Sequence, residues 1–152
     1  IDLKIALGCD HGGFELKENI KAFLLEKGYE VEDFGTYDTK SVDYPTYALK
    51  AAEVVSEGRC EKGILVCSTG IGISIAANKV KGIRAALCSD LLSARLTREH
   101  NNTNVLALGA YIVGKQLALA IVDTWLSTPF SGVDRHQRRN DAITEIEKKY
   151  FK

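Results

Sequence analysis

Apolar runs of strand length alternate with helical patterns along the chain, and this alternation restricts the fold more than any other feature. The strand-like runs cover residues 3–9, 29–34, 63–67, 83–87 and 104–108. The helical patterns cover residues 14–27, 45–58, 73–79, 90–99, 114–126 and 134–150. Strands joined by helices form a parallel sheet with helices on both faces. With right-handed crossovers, the sequence predicts a doubly wound, Rossmann-like α/β domain with five parallel strands in the order 2-1-3-4-5.

One domain over residues 1–152 is expected, because the chain contains no internal repeat, linker or low-complexity tract. The charged final helix, about residues 134–150, is a candidate for packing on a partner subunit. A formal net charge of zero disfavours binding to nucleic acid or to an anionic membrane. The sequence shows neither an apolar run of about 20 residues nor a secretory leader, which predicts a cytoplasmic location. The four cysteines include no C-x-x-C pair, which indicates free thiols.

Two loops at the carboxyl ends of strands form the predicted ligand site. In a doubly wound sheet, ligands bind where the helices of neighbouring strands diverge, here between strands 1 and 3. The loops at that point are residues 9–13 and 67–72. The second loop, CSTGIG, turns into a helix whose N-terminus favours negative charge. That terminus would stabilise a thiolate on Cys67, although a buried cysteine ahead of a tight turn is an equally good interpretation.

Three well-known anion-binding loops do not match this turn. A tyrosine-phosphatase loop needs arginine six positions after its cysteine, and that position holds Ile73. A P-loop needs Gly-Lys followed by Ser or Thr, which is missing here. A dinucleotide-binding turn needs a third small residue, but Gly70 and Gly72 are followed by Ile75. The turn is therefore predicted to hold an anion in another way.

Further polar residues are candidates for the same site. Asp10 and His11 close strand 1 and could contact sugar hydroxyls or a phosphate, or could be a helix cap and a surface residue. His100 is by itself more typical of a loop residue, and strand 5 is expected to carry it away from its own chain's cysteine loop and toward a partner's. Arg135 and Arg139 share a helix face near an N-terminus that disfavours cations, which favours phosphate binding over a solvated basic face.

A metal site is a weaker alternative. Cys9, Cys67, Cys88 and His11 all follow strands, and the ends of parallel strands lie close together. No pair among them has the spacing of zinc ligands, and Cys9 and Cys88 also suit small buried positions. We therefore expect no metal.

Five segments in order, taken together, resemble one family. They are GCDHGGFELK, SVDYP, CSTGIGISIAANK, EHNNTNVLALGA and DRHQRRNDAI. From about Ile5 to Ile146 the chain resembles the type B ribose-5-phosphate isomerases, a family that includes galactose-6-phosphate and allose-6-phosphate isomerases. The resemblance implies a cofactor-free aldose–ketose isomerase that interconverts ribose 5-phosphate and ribulose 5-phosphate through an enediolate. It also implies a homodimer, often paired into tetramers, with each active site built from two subunits.

The resemblance implies four catalytic residues. Cys67 would be the base that moves a proton between C2 and C1, and Thr69 would assist the sugar oxygens. Asp10 would bind substrate hydroxyls, and His100 of the partner subunit would open the furanose ring. The remaining residues are implied to bind the substrate, its phosphate or the enediolate: His11, Tyr44, Ser68, Gly70, Ile71, Gly72, Ile73, Asn101, Arg135, His136 and Arg139.

Two residues depart from the family pattern. Ser68 stands where glycine is usual, and Tyr111 stands where many relatives carry an arginine for phosphate. One cation fewer should weaken phosphate binding and could tolerate longer or unphosphorylated sugars. A hexose-6-phosphate or free-aldose isomerase is thus an alternative function. A phosphate-sensing module is a second one, although a receiver-like domain needs an aspartate where this chain has Cys67.

Overall fold

The computed structural model describes residues 3–151 and confirms the alternation of strands and helices. The strands are β1 (Lys4–Cys9), β2 (Glu30–Asp33), β3 (Lys62–Cys67), β4 (Ala85–Leu87) and β5 (Val105–Gly109). The helices are α1 (Phe14–Glu26), α2 (Tyr44–Ser56), α3 (Ile71–Ala77), α4 (Leu91–Asn101), α5 (Lys115–Ser127) and α6 (Asp134–Tyr150). A 3-10 turn, His11–Gly13, precedes α1. No helix within residues 3–151 has the length and apolar character needed to cross a membrane.

The five strands form one parallel sheet, which confirms the predicted α/β class. The observed order is β2-β1-β3-β5-β4, so the last two strands stand exchanged relative to the order 2-1-3-4-5. Burial explains this correction. Every residue of β5 is buried, as a strand with neighbours on both sides requires, whereas none of the three residues of β4 is buried.

The two faces of the sheet follow from the direction of each crossover. Leu16 of α1, Ala94 of α4 and Trp125 of α5 belong to one apolar core. Val54 of α2 and Ile73 of α3 belong to the core on the opposite face. Right-handed crossovers on one face of a parallel sheet all run in the same direction across it. Helix α1 leads the chain from β1 to β2, so α4, on the same face, must lead the chain in that same direction, which from β4 is back toward the centre of the sheet. This return places β5 next to β3.

Helix α6 lies outside the two cores and is fixed to the end of α4. The Asn140 side chain donates to the carbonyl oxygen of His100 at 3.0 Å. Arg84 donates to the carbonyl oxygen of Asn140 at 3.1 Å and to Thr144 Oγ1 at 2.6 Å. Further along α6, Ile143 and Ile146 remain 49% and 61% exposed. The helix therefore presents apolar side chains that its own subunit leaves uncovered.

Candidate active site

The turn after β3 aims a backbone N–H at the sulfur of Cys67. Cys67 is the last residue of β3 and is 4% exposed. Gly70 has a left-handed φ of 78°, and its N–H donates to Cys67 Sγ at 3.1 Å. A side chain on Gly70 would be strained, and its Cβ would lie 2.8 Å from the carbonyl carbon of Leu108. Glycine is thus required here to aim an N–H at the sulfur.

Thr69 lies two residues before α3, which begins at Ile71 rather than at the predicted residue 73. Its Oγ1 accepts a hydrogen bond from Ile71 N at 3.2 Å. The backbone of Thr69 also packs directly on Gly109 at the end of β5, where a Cβ would collide with it. The carbonyl oxygen of Ser68 accepts from Tyr111 N at 2.9 Å. These contacts fix the turn from the β5 side.

The loop after β1 meets the same turn from the other side. Asp10 is buried, and its Oδ1 accepts from Gly13 N at 3.1 Å, so it caps the 3-10 turn. Asp10 N donates to the carbonyl oxygen of Val66 at 3.2 Å. A Cβ on Gly12 would overlap Ser68 Oγ, which shows how closely the two loops approach. The structure therefore brings together the loops that the switch-point rule selected.

His11 and Tyr44 complete this edge of the sheet. Val42 N donates to His11 Nδ1 at 3.1 Å, so the proton of the neutral ring lies on Nε2. Tyr44 is the first residue of α2, and its ring lies over Gly72, where an added Cβ would be 2.5 Å from Cζ. Sequence reasoning missed the contact from Val42, because a backbone donor leaves no signal in the residue type. We call the residues gathered at this edge the Cys67 cluster: Asp10, His11, Tyr44, Cys67, Ser68, Thr69, Gly70, Ile71, Gly72 and Ile73.

The other predicted site residues lie near the opposite end of the strands, where β5 begins. Pairing of β3 with β5 runs from Gly63–Val105 to Cys67–Gly109, about 13 Å at about 3.3 Å per residue. His100 ends α4, just before β5 begins, and so lies near the far end of that distance. We call this second group the His100 cluster: His100, Asn101, Arg135, His136 and Arg139. One chain does not bring the two clusters together.

The His100 cluster is rich in positive charge. The rings of His100 and His136 lie 4.2 Å apart between centroids, and His136 Nδ1 is 2.7 Å from Ser131 Oγ. Burial lowers the pKa of His136, and the charges of His100, Arg135 and Arg139 lower it further, while Glu99 opposes them. A bound anion would relieve this repulsion between cations.

The other cysteines differ from Cys67 in their surroundings. Burial raises the pKa of Cys9 to about 12 and the pKa values of Cys60 and Cys88 to about 11. Cys9 pairs with Val66 in the sheet, so the side chains of Cys9 and Cys67 point to opposite faces. Within residues 3–151, no three His, Cys, Asp or Glu side chains are grouped as metal ligands would be. The register argues against a metal held jointly by Cys9 and Cys67.

The fold and the Cys67 cluster together define a doubly wound α/β protein. Its polar groups converge at the carboxyl ends of the strands, where such proteins bind small metabolites. The family model described as Ribose/Galactose Isomerase matches residues 5–143. The chain belongs to the ribose/galactose isomerase family.

Individual relatives agree with this assignment. The chain is 55% identical to "Ribose-5-phosphate isomerase B" of Escherichia coli K12 over 146 residues, 96% of this chain and 97% of the relative. The solved structure of Clostridium thermocellum ribose-5-phosphate isomerase B superposes with a TM-score of 0.96 at 58% identity, covering 97% of this chain and 99% of that one. The galactose-6-phosphate isomerase subunit LacB of Clostridium acetobutylicum is 42% identical, over 93% of this chain and 82% of its own.

Proposed function

We propose that this protein is an aldose–ketose isomerase that interconverts ribose 5-phosphate and ribulose 5-phosphate, with Cys67 as the base. The family and the near full-length similarity to ribose-5-phosphate isomerase B support the reaction. The observation that carries the role of Cys67 is the N–H of Gly70, which points at its sulfur from 3.1 Å. A donor aimed at sulfur stabilises the thiolate more than the thiol.

The reaction needs a proton carrier and fixed donors, and no net electron exchange with a cofactor. The Cys67 thiolate takes the proton from C2 of the open-chain aldose, and the C1–C2 enediolate forms. The hydroxyl proton passes from O2 to O1, and the Cys67 thiol, whose proton exchanges with water in a fraction of turnovers, returns a proton to C1. Gly70 N and Ile71 N already bond Cys67 and Thr69, so we assign the N–H groups of Gly72 and Ile73 to the enediolate oxygens.

Within the Cys67 cluster, the remaining side chains are assigned to the sugar. Asp10 accepts hydrogen bonds from sugar hydroxyls, and Thr69 Oγ1 contacts the oxygens at C1 and C2. His11 offers its Nε2 proton to the phosphate, because its Nδ1 is occupied by Val42 N. Tyr44 covers the first turn of α3 and limits access of water.

We further propose that the complete site forms between two subunits of a homodimer. The His100 cluster lies about 13 Å from Cys67 along the sheet of one chain, which is too far for both to contact one pentose phosphate. In the dimer, His100 of the partner subunit opens the furanose ring and Asn101 of the partner subunit holds a hydroxyl. Arg135, His136 and Arg139, each from the partner subunit, hold the phosphate. The chain acts as one domain whose α6 covers the partner with its exposed apolar residues.

Subunit complementation tests the shared site. Cys67→Ala and His100→Ala homodimers should each be nearly inactive. After mixing with reversible unfolding, half the dimers are hybrids, and each hybrid has one site with both residues intact. About a quarter of wild-type activity should therefore return. If mixing restores nothing although hybrids form, both residues serve one site within a single chain.

The reaction itself is tested by NMR of ribose 5-phosphate with the protein in heavy water. Formation of ribulose 5-phosphate together with deuterium exchange at C2 supports the isomerase. Binding of the sugar phosphate with neither change would instead support a phosphate-sensing module. The cationic His100 cluster is compatible with both the isomerase and the sensing module. A base beside the glycine-rich turn is expected only in the enzyme.

A hexose 6-phosphate is the second candidate substrate, favoured by one observation. Tyr111 lies at the rim of the Cys67 cluster, is 77% exposed and donates its N–H to Ser68 O. Comparison of kcat/KM for ribose 5-phosphate, allose 6-phosphate and galactose 6-phosphate separates the candidates. Tyr111→Arg should lower the KM for ribose 5-phosphate several-fold by adding a cation. An unchanged KM would mean that Tyr111 replaces no phosphate contact.

A further inference from the structure

The loop that connects β2 with α2 contacts one residue of the Cys67 cluster, His11, and leads directly into another, Tyr44. Val42 in this loop donates its N–H to His11 Nδ1 at 3.1 Å, and Tyr44 follows as the first residue of α2. The loop thereby sets both the tautomer and the orientation of the His11 ring. A movement of the loop would therefore reorient the His11 ring and with it the proton on Nε2.

The start of this loop is fixed by a carboxylate buried at the end of β2. Asp33 Oδ1 accepts from Gly35 N at 2.9 Å, and Tyr37 Oη donates to the carbonyl oxygen of Asp33 at 2.8 Å. The other oxygen of Asp33 lies 2.6 Å from Lys17 Nζ of α1. The carboxylate therefore joins α1 to the first residues of the loop.

The Lys17–Asp33 pair is unusual in its burial. The side chains of Lys17 and Asp33 are 0% and 7% exposed. Burial opposes the charge on Lys17, but hydrogen bonds to Asp33 and Glu18 raise its pKa. Burial likewise opposes the charge on Asp33, but hydrogen bonds from Lys17 and Gly35 lower the pKa of this carboxyl. Both groups stay charged at neutral pH.

Such a pair contributes little to stability compared with apolar side chains of similar size, because desolvation offsets the attraction. The pair instead holds α1 and the start of the β2–α2 loop in one fixed relative position. Lys17 also lies over the rings of Phe14 and Tyr37, at 5.1 and 5.5 Å from their centroids. Since Tyr37 belongs to the loop, Lys17 contacts the loop both through Asp33 and directly.

We propose that the buried Lys17–Asp33 ion pair is the positioning element that holds the β2–α2 loop against His11 and thereby aims the His11 Nε2 proton at the substrate phosphate. Lys17 and Asp33 act through the loop and do not contact the substrate. The phosphate part of this inference rests on the proposed function, whereas the part that concerns the His11 ring does not.

The test uses the double variant Lys17→Met/Asp33→Asn, which removes both charges and leaves neither buried without a partner. In ¹⁵N NMR of the His11 ring, wild type should show the Nε2–H tautomer, and the variant a mixture of tautomers. The KM for ribose 5-phosphate and the Ki for inorganic phosphate should each rise about ten-fold, with kcat within about two-fold. If the double variant does not fold, Asp33→Asn alone, which keeps an oxygen for Gly35 N, should show the same changes to a smaller extent.

A matched control separates positioning from general destabilisation. Lys4 and Glu32 form a similar pair between β1 and β2, at 3.2 Å, but it is partly exposed and does not contact the loop. Lys4→Met/Glu32→Gln should leave the His11 tautomer, KM and Ki unchanged. In a His11→Ala background, Lys17→Met/Asp33→Asn should raise KM no further, because the residue that it positions is gone.

Three results would overturn the proposal. They are a wild-type His11 tautomer in the folded double variant, a loss confined to kcat, and KM effects that multiply in the His11→Ala background. Should the protein lack isomerase activity altogether, the tautomer measurement still decides the positioning role, so failure of the proposed function and failure of this inference are distinguished.

Discussion

Cys9 and Cys67 end neighbouring strands of the same sheet, yet their sulfurs have opposite surroundings. Cys9 is completely buried, and its thiol donates to the carbonyl oxygen of Thr36 at 3.7 Å. The sulfur of Cys67 instead accepts an N–H, from Gly70 at 3.1 Å. An acceptor beside sulfur favours the thiol, and a donor favours the thiolate. The backbone group aimed at each sulfur, rather than the position at a strand end, distinguishes an inert cysteine from a candidate base.

The largest expected effect is the loss of the base. Cys67→Ala and Cys67→Ser should lower kcat for ribose 5-phosphate by about ten-thousandfold or more, near the upper end of what a general base contributes. Steady-state assays with several aldose phosphates measure this. A loss below about ten-fold in either variant would remove Cys67 from the mechanism and with it the contrast with Cys9.

Changing the donor while keeping the sulfur should have the next largest effect. Gly70→Ala strains a residue with φ of 78° and forces its Cβ against Leu108, so the N–H turns away from Cys67. We expect kcat to fall about a hundred-fold. Gly58→Ala is the matched control: its φ is 79°, but nothing lies within 4 Å of the added Cβ. It should cost about 1 kcal/mol of stability and no activity.

The buried thiols should make the protein less stable in alkali. The pKa of a cysteine in the unfolded chain is about 9, whereas burial raises the pKa of Cys9 in the folded protein to about 12. Between these values the unfolded state binds fewer protons, so the contribution of Cys9 to the free energy of unfolding is constant below pH 9 and falls above it, by up to about 1.4 kcal/mol per pH unit. Cys9→Ala should reduce this slope in urea titrations from pH 8 to 11. An identical slope would mean that Cys9 ionises as freely in the folded protein as in the unfolded chain.

The smallest effect is expected for turnover of Cys9→Ala at neutral pH. Because its thiol faces the opposite side of the sheet from Cys67, kcat and KM should stay within about two-fold of wild type. Iodoacetamide below pH 9 should likewise abolish activity through Cys67 while leaving Cys9 unmodified in peptide mass spectra. Equal dependence on both thiols would revive a shared metal site.

Much of the fold was predictable because each strand is a short apolar run with a helical pattern after it. The order of the last two strands was not predicted, since sequence neighbours were taken as sheet neighbours. The sequence does indicate which of the two strands lies inside the sheet. Residues 83–87 contain Arg84, whereas residues 105–109 are entirely apolar or glycine, as an inner strand requires.

For the candidate site, the switch-point rule and the glycine-rich turn led to the Cys67 cluster, and the fold places His100 and the arginines at the other edge of one chain. The Lys17–Asp33 pair was missed, because a lysine on a helix is normally solvated. Lys17 nevertheless lies three and seven residues before Ile20 and Leu24, on the apolar stripe of α1. A charge in such a stripe predicts a buried partner, but its identity depends on a strand that only the tertiary structure brings near.

The insertion of β5 between β3 and β4 also sets the order in which the sheet can be completed during synthesis. In the described sheet, β4 pairs with β5 alone, and β3 reaches its second neighbour at Val105, which pairs with Gly63. A nascent chain that has emerged as far as β4 holds a strand with nothing to bind, beside an inner strand with one bare edge. Until β5 leaves the ribosome, that apolar edge remains open to pairing with strands of other chains.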